Sequence, residues 1–143
     1  MSSDKFAWAE GEIVITRKPD DELRAEINLV APMFMRASAR RGLALHEEGK
    51  SGGGLRAQTV EDARKMAAGQ ALSEEKWRKV GPWIARHTVD LDAVDQPGEI
   101  TPGLVAMLLW GGGSTKTSAQ RARAYAENLV ERLDARGEAR ADG

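Results

Sequence analysis

Residues 101–113, TPGLVAMLLWGGG, form the most apolar run in a chain of 143 residues. Thr101 is a good N-cap, because its hydroxyl can accept from a free backbone N–H in the first turn. Pro102 falls at the first helical position, where a missing N–H costs nothing. Leu104, Val105, Met107, Leu108, Leu109 and Trp110 then cover nearly the full circumference of a helix. A helix that is apolar on every side belongs inside a fold or a membrane, and this one is far shorter than the roughly 20 residues a bilayer requires. Short apolar runs also suit a buried strand; the Thr-Pro start favours the helix. Gly111, Gly112 and Gly113 end it, since glycine reaches the left-handed geometry that closes a helix. The run therefore predicts a short central helix over residues 101–110, with Trp110 as a packing anchor against the Trp77–His87 face and the glycines as the turn into the last helix.

Composition narrows the classes of function. The formal charge is −1 with 30% charged residues, so no global basic field draws in nucleic acid. Cys is absent, which removes disulfides, thiol catalysis and thiolate metal sites. Four of the seven aromatics are tryptophans, so Trp8, Trp77, Trp83 and Trp110 mark where packing or contact matters. The start, MSSDKFAWAEGE, lacks the cationic segment and apolar core of a secretory signal. The expected location is the host cytoplasm or a particle assembled there, with no membrane association.

Outward from the central run, the chain reads as helices separated by punctuation. Lys5 to Arg17 is the β-like stretch: folded about Glu10-Gly11, it pairs Trp8 with Ile13 and Phe6 with Ile15 on one face. A lone hairpin is marginal in water, so this arm needs another surface, and Phe6, Trp8, Ile13 and Ile15 are the candidate partner-binding residues. Asp21 to Val30 suits a helical turn or two, and a firmer helix follows from Pro32 to about Glu48, with Met33, Phe34, Ala37, Ala44 and Leu45 as its apolar side. Gly49 to Gly54 is a loop. Thr59 opens the next helix, with Asp62 at capping-box spacing, and Gly69 ends it. Ser73 caps another, on which Trp77, Val80, Ile84 and His87 step by one helical face; Gly81-Pro82 predicts a kink or break within it. Asp90 to Gly98 reads as a loop. In the last helix Ala119, Ala122, Ala126, Leu129 and Leu133 recur at helical spacing, and Gly137 stops it. The expected organisation is an arm and linker over 1–20, a helical domain over 21–137 and a frayed tail over 138–143. The expected fold class is mainly α: a compact bundle of four to five short helices with an N-terminal β-hairpin or extended arm.

Four segments in order, ARRGLAL, TVEDARKMAAGQALSEE, WIARHTVDLD and TPGLVAMLLWGGG, carry a family likeness. Together they resemble a small domain of unknown function common in tailed-phage genomes, with A-R-x-G-L, V-x-x-A-R, A-R-H-x-V-D and L-W-G-G motifs. The matching positions run from Ala39 to Gly112. They include Arg40, Gly42, Ala63, Gly69, Ser73, Arg86, His87, Asp90, Pro102, Ala106 and Trp110. The family occurs beside capsid and other head genes, sometimes fused to them, which implies a virion-associated or assembly role and no particular reaction. Two departures stand out: Gly113 follows Trp-Gly-Gly where the family has Asp, and Gly81-Pro82 interrupts a helix that is unbroken in the family.

Specific chemistries find little support in the residues. A phosphate loop needs glycine just before its lysine and again five residues earlier; around Lys116 those places hold Thr115 and Trp110. His87 with Asp90 has the spacing of a base and its orienter, but no nucleophile motif accompanies it, and a structural His87 hydrogen-bonded to Asp90 or a backbone group is the simpler expectation. Asp90, Asp92, Asp95 and Glu99 miss the calcium-loop register. With only His46 and His87 and no Cys, a zinc site is not expected. No cofactor and no enzyme activity is expected. The structural set is Trp77, His87, Asp90, Trp110, Gly111 and Gly112. The leading expectation is a non-enzymatic, phage-type structural or assembly protein acting through protein–protein contacts, its partner another structural protein or a second copy. The alternative is a small helical DNA-binding accessory protein using Lys116, Arg121, Arg123, Arg40 and Arg41 on phosphates.

Overall fold

The computed structural model of the chain describes residues 27–142. Asn28–Leu133 is one compact unit, and the packing that follows is that of this unit. Among the described residues there are five α-helices: α1 (Met33–Glu47), α2 (Ala57–Ala67), α3 (Glu74–His87), α4 (Pro102–Leu109) and α5 (Lys116–Asp142). A 3-10 helix, Thr88–Ala93, follows α3 directly. No strand occurs among the described residues, so the mainly α class holds there; the expected hairpin of Phe6, Trp8, Ile13 and Ile15 lies outside them.

The run that opened the sequence is α4. The Thr101 hydroxyl accepts from the Leu104 amide at 3.1 Å, and Pro102 stands at the first helical position. Leu104, Val105, Met107, Leu108 and Leu109 are all buried. Each such side chain contributes about 1.5–3 kcal/mol by leaving water, which makes this short helix the densest apolar element of the unit. Its end is a Schellman closure: Gly112 N–H donates to Met107 C=O at 2.9 Å and Gly111 N–H to Leu108 C=O at 3.0 Å. Gly111 has φ +91°, and a Cβ there would sit 2.8 Å from Met35 Cε. The helices α1 and α2 close with the same bond pair, at Gly49 and Gly69.

The contact between α1 and α4 differs from the periodic reading. The buried side of α1 is Met35, Ser38, Ala39 and Gly42, whereas Met33 is 65% exposed. Small residues let the two backbones approach: a Cβ on Gly42 would lie 2.8 Å from the Leu109 amide nitrogen. Ser38 uses that proximity, its hydroxyl donating to Leu108 C=O at 2.8 Å and accepting from Gly113 N–H at 2.9 Å. A carbonyl oxygen has two lone pairs, so Leu108 C=O accepts from Ser38 on a neighbouring helix as well as from Gly111 N–H.

Several boundaries also move. The helix α3 runs unbroken through Gly81-Pro82. Trp77, Val80 and Ile84 are fully buried on either side of the proline, which is itself exposed, so packing outweighs the roughly 3 kcal/mol propensity cost. Gly81 serves a second end, since a Cβ there would come within 3.2 Å of Glu127 Cγ on α5. Thr59 is not a cap: α2 begins at Ala57 behind Arg56, and Thr59 is its third residue. Gly137 does not stop α5, which continues to Asp142; Gly137 is not among the positive-φ glycines, and a glycine with helical φ only weakens a helix. Residues 27–30 are not helical. Val30 bridges Ala71, and Leu29 C=O accepts from both Leu72 N–H and Trp77 Nε1–H. Ser73 does cap α3, accepting from Lys76 N–H at 3.0 Å. Ala119, Ala122, Ala126, Leu129 and Leu133 are all buried on α5. No helix among the described residues is long and apolar enough to cross a membrane.

Candidate functional site: a cationic cleft walled by tryptophan

One turn of helix separates Trp83 from His87, so their side chains share a face of α3. The rings stack with centroids 4.2 Å apart and an interplanar angle of 21°. Trp110, at the end of α4, lies on the other side of Trp83, 4.7 Å away and within 7° of parallel. The far face of Trp110 is covered by Lys76, whose Nζ is 3.2 Å from the ring centroid. The result is a column of His87, Trp83, Trp110 and Lys76.

Lys76 is 6% exposed, and its nearest anion is the Asp62 carboxylate at 3.5 Å. Burial pushes the Lys76 ammonium down from 10.5 to about 8; Asp62 opposes the shift through charge and hydrogen bonding, and Lys79 reinforces it. A cation against an indole face is also attracted by the ring quadrupole, so two favourable contacts hold a charge that burial disfavours.

His87, Trp83 and Trp110 of this column line a cleft of about 620 Å³. The opposite wall is the loop of Gly52, Gly53 and Gly54 leading into Leu55, Arg56 and the start of α2. Gly52 has φ +70° and packs on Pro102, and Ser51 Oγ hydrogen-bonds His46 Nδ1 at 2.6 Å, which fastens the loop to the end of α1. The charge lining the cleft is lopsided: Arg56, Arg78, Lys79, Arg86 and His87 face a single acidic residue, Asp90. The Asp90 carboxylate accepts from His87 Nδ1–H at 2.9 Å. Lys79 is paired with Glu75 at 3.8 Å, both exposed. Arg56 and Arg86 are exposed and have no ion-pair partner among the described residues.

The residues singled out in the sequence distribute unevenly around this cleft. His87 leaves the apolar face that carries Trp77, Val80 and Ile84, and its side chain is 38% exposed on the cleft; the helix ends there, and the ring turns onto Trp83. Trp110 is half-buried and forms part of the wall. Trp77 is fully buried, its ring 5.7 Å from Tyr125. Gly111 and Gly112 are buried at the α4 closure, where a Cβ on Gly112 would collide with Met107. The five cations named for phosphate contact do not line the cleft. Arg40 donates to Ala67 C=O at 3.1 Å, Lys116 pairs with Asp92, Arg121 lies 3.9 Å over the Phe34 ring, Arg123 pairs with Glu127 at 2.9 Å, and Arg41 is exposed. Phe6, Trp8, Ile13 and Ile15 lie outside the described residues. Arg56, Thr59, Trp83 and Arg86 also line the cleft, and the one sequence signal that ties any of them to it is the i, i+4 spacing of Trp83 and His87.

The cleft sets donors of charge-assisted hydrogen bonds beside apolar edges. Arginine forks and backbone amides bind anions, and the apolar edges of Leu55, Pro82, Pro102 and Ala106 bind hydrocarbon. His87 is hydrogen-bonded to Asp90, but no hydroxyl is hydrogen-bonded to His87 among the described residues. No group of three or more His, Asp or Glu residues converges to hold a metal ion among them. Compared with known proteins, the chain matches no protein-family model, and neither a curated protein nor a solved structure is significantly similar to it.

Proposed function

We propose that this chain is a non-enzymatic assembly protein of tailed-phage type that works through protein–protein contacts, with the cationic cleft as a contact surface. One observation carries the reading. Two of the motifs behind the phage-domain resemblance, WIARHTVD and TPGLVAMLLWGG, lie on different helices and meet at the cleft, where Arg86, His87 and Asp90 line it together with Pro102, Ala106 and Trp110. Of the other motif positions, Ala39, Gly42, Ala63 and Leu72 are buried packing residues, whereas Arg40, Arg64, Ser73 and Val89 are exposed. The motifs thus contribute both to the packing of the unit and to one surface. Unpaired arginines beside apolar edges suit the recognition of another protein.

Co-sedimentation tests this. A tagged chain is produced with the head proteins of its phage, and particles are separated on a gradient. The expected outcome is co-migration with head particles or their precursors. Absence from every particle fraction, with the chain recovered only as free protein, refutes the assembly role. The alternative reading, DNA binding, draws support from Arg56 and Arg86 rather than from the cations first named for it. Four of those five cations are engaged within the chain.

A further inference from the structure

We infer that a groove between the start of α1 and the outer face of α5 docks an amphipathic helix of a partner protein, one with acidic residues about three turns apart and apolar residues between them. The groove shares no lining residue with the cleft, so it is a second contact surface, beyond the function proposed above.

The groove follows one helical stripe. Arg121, Tyr125, Asn128 and Arg132 line it from α5, and the spacing i, i+4, i+7, i+11 keeps all four on one face. At about 1.5 Å per residue the two arginines stand about 16 Å apart along the axis. The other side is the start of α1, where Met33 and Phe34 follow Pro32, and the volume is about 770 Å³.

Its lining is apolar and cationic, with no acidic residue. Met33 is 65% exposed on a helix whose opposite side is packed, and methionine adapts its shape to the surface it meets. Phe34 meets the Tyr125 ring edge-on at 6.4 Å, and the Arg121 guanidinium lies 3.9 Å over Phe34. Stacking on a ring leaves the in-plane N–H donors of an arginine available to an acceptor. Arg132 is exposed and has no ion-pair partner among the described residues.

These features distinguish between occupants. An added strand requires a sheet edge, and no strand occurs among the described residues. A helix needs no backbone partner, and laid along α5 it offers side chains at the same i, i+4, i+7, i+11 spacing. Acidic residues at the two ends meet Arg121 and Arg132, and apolar ones between them meet Met33, Phe34 and Tyr125. Ala124, small and exposed in the same groove, leaves room for the approach. A second copy on a two-fold axis would set the patch against itself, arginine towards arginine. Nucleic acid would satisfy the arginines but leave Met33 against a polar backbone.

The test uses the full chain and a displayed library of helical peptides about 18 residues long, enough to cover the stripe with a turn on each side. The positions spaced i, i+4, i+7 and i+11 are varied over all side chains; the rest are alanine and glutamine. Selection is expected to return Asp or Glu at the two outer positions and Leu, Ile, Met or Phe at the inner ones. Arg132→Glu is expected to weaken binding of the selected peptide about tenfold, and lysine in place of one peptide acid to restore it. Met33→Gln is expected to weaken binding by a similar factor, and a central proline in the peptide to abolish it. Both variants replace exposed side chains, so Tm is expected to stay unchanged. Selection of nothing, selected peptides without acids, binding that ignores both variants, or tolerance of the central proline each overturns the inference. So does an oligothymidylate that binds this groove more tightly than the peptide, or self-association of the chain that both variants abolish.

Discussion

Raising the pH from 7 to 11 is expected to stabilise the protein relative to its Lys76→Met variant. In the folded chain the Lys76 ammonium titrates at about 8 rather than 10.5. The folded state therefore releases this proton first. Between pH 8 and 10.5 the unfolded chain holds more protons, and stability rises with pH wherever that is so. At about 1.4 kcal/mol per pH unit, the drop corresponds to roughly 3 kcal/mol. Below pH 8 the contribution is flat at its low value, and above 10.5 it is complete. Lys76→Met keeps an unbranched side chain against Trp110 and removes the titrating group. Urea unfolding of both proteins at intervals across this range gives the difference in unfolding free energy, from which the titration of other lysines and of Tyr125 cancels. The difference is expected to climb by roughly 3 kcal/mol in favour of the wild type. A flat difference would mean that Lys76 titrates normally despite its burial. A falling one would mean that Asp62 and the Trp110 face, 3.5 and 3.2 Å from Nζ, together outweigh desolvation. Either result refutes the reasoning.

Three further outcomes follow from the packing. Gly42→Ala places a methyl 2.8 Å from the Leu109 amide nitrogen and is expected to cost about 1–3 kcal/mol by forcing α1 and α4 apart; an unchanged urea midpoint would show that the helices do not meet so closely. Ser38→Ala removes the bridge from Leu108 C=O to Gly113 N–H, with an expected loss of about 1–3 kcal/mol and faster exchange of the Gly113 amide. Thr101→Ala removes the cap on Leu104 N–H and is expected to cost about 1 kcal/mol, measured as a lower Tm.

How much of the molecule was legible depends on the range of the interaction involved. Helix ends that rest on local chemistry could be read directly. Ser73 and Thr101 cap as their side chains suggest, and Gly49, Gly69 and Gly111 close three helices. The α5 stripe of alanines and leucines is buried throughout, because an amphipathic period is itself a local property. Thr59 was misplaced because a good capping residue carries no record of where its helix starts. The α1 face was misread because Ser38, Ala39 and Gly42 contribute closeness rather than hydrophobicity, and only the neighbouring helix makes use of it.

The cleft belongs wholly to tertiary structure. Trp83 and His87 announce themselves as neighbours on one helix, yet neither indicates that Trp110 closes the stack or that Lys76 covers its far face. Residues 52–56 read as a loop until the fold sets them opposite α3. The sequence by itself determined the apolar helix at residues 101–110, its cap and its glycine stop, because propensity, capping and burial all act within a few residues. The i, i+4 spacing of Arg123 and Glu127 already announces their pair, but only the folded chain decided that Lys116 goes to Asp92 while Arg56 and Arg86 remain in the cleft. Charge pairing and ring stacking depend on distances of a few ångströms between segments remote in sequence, and those distances are set by how α2, α3 and α4 pack.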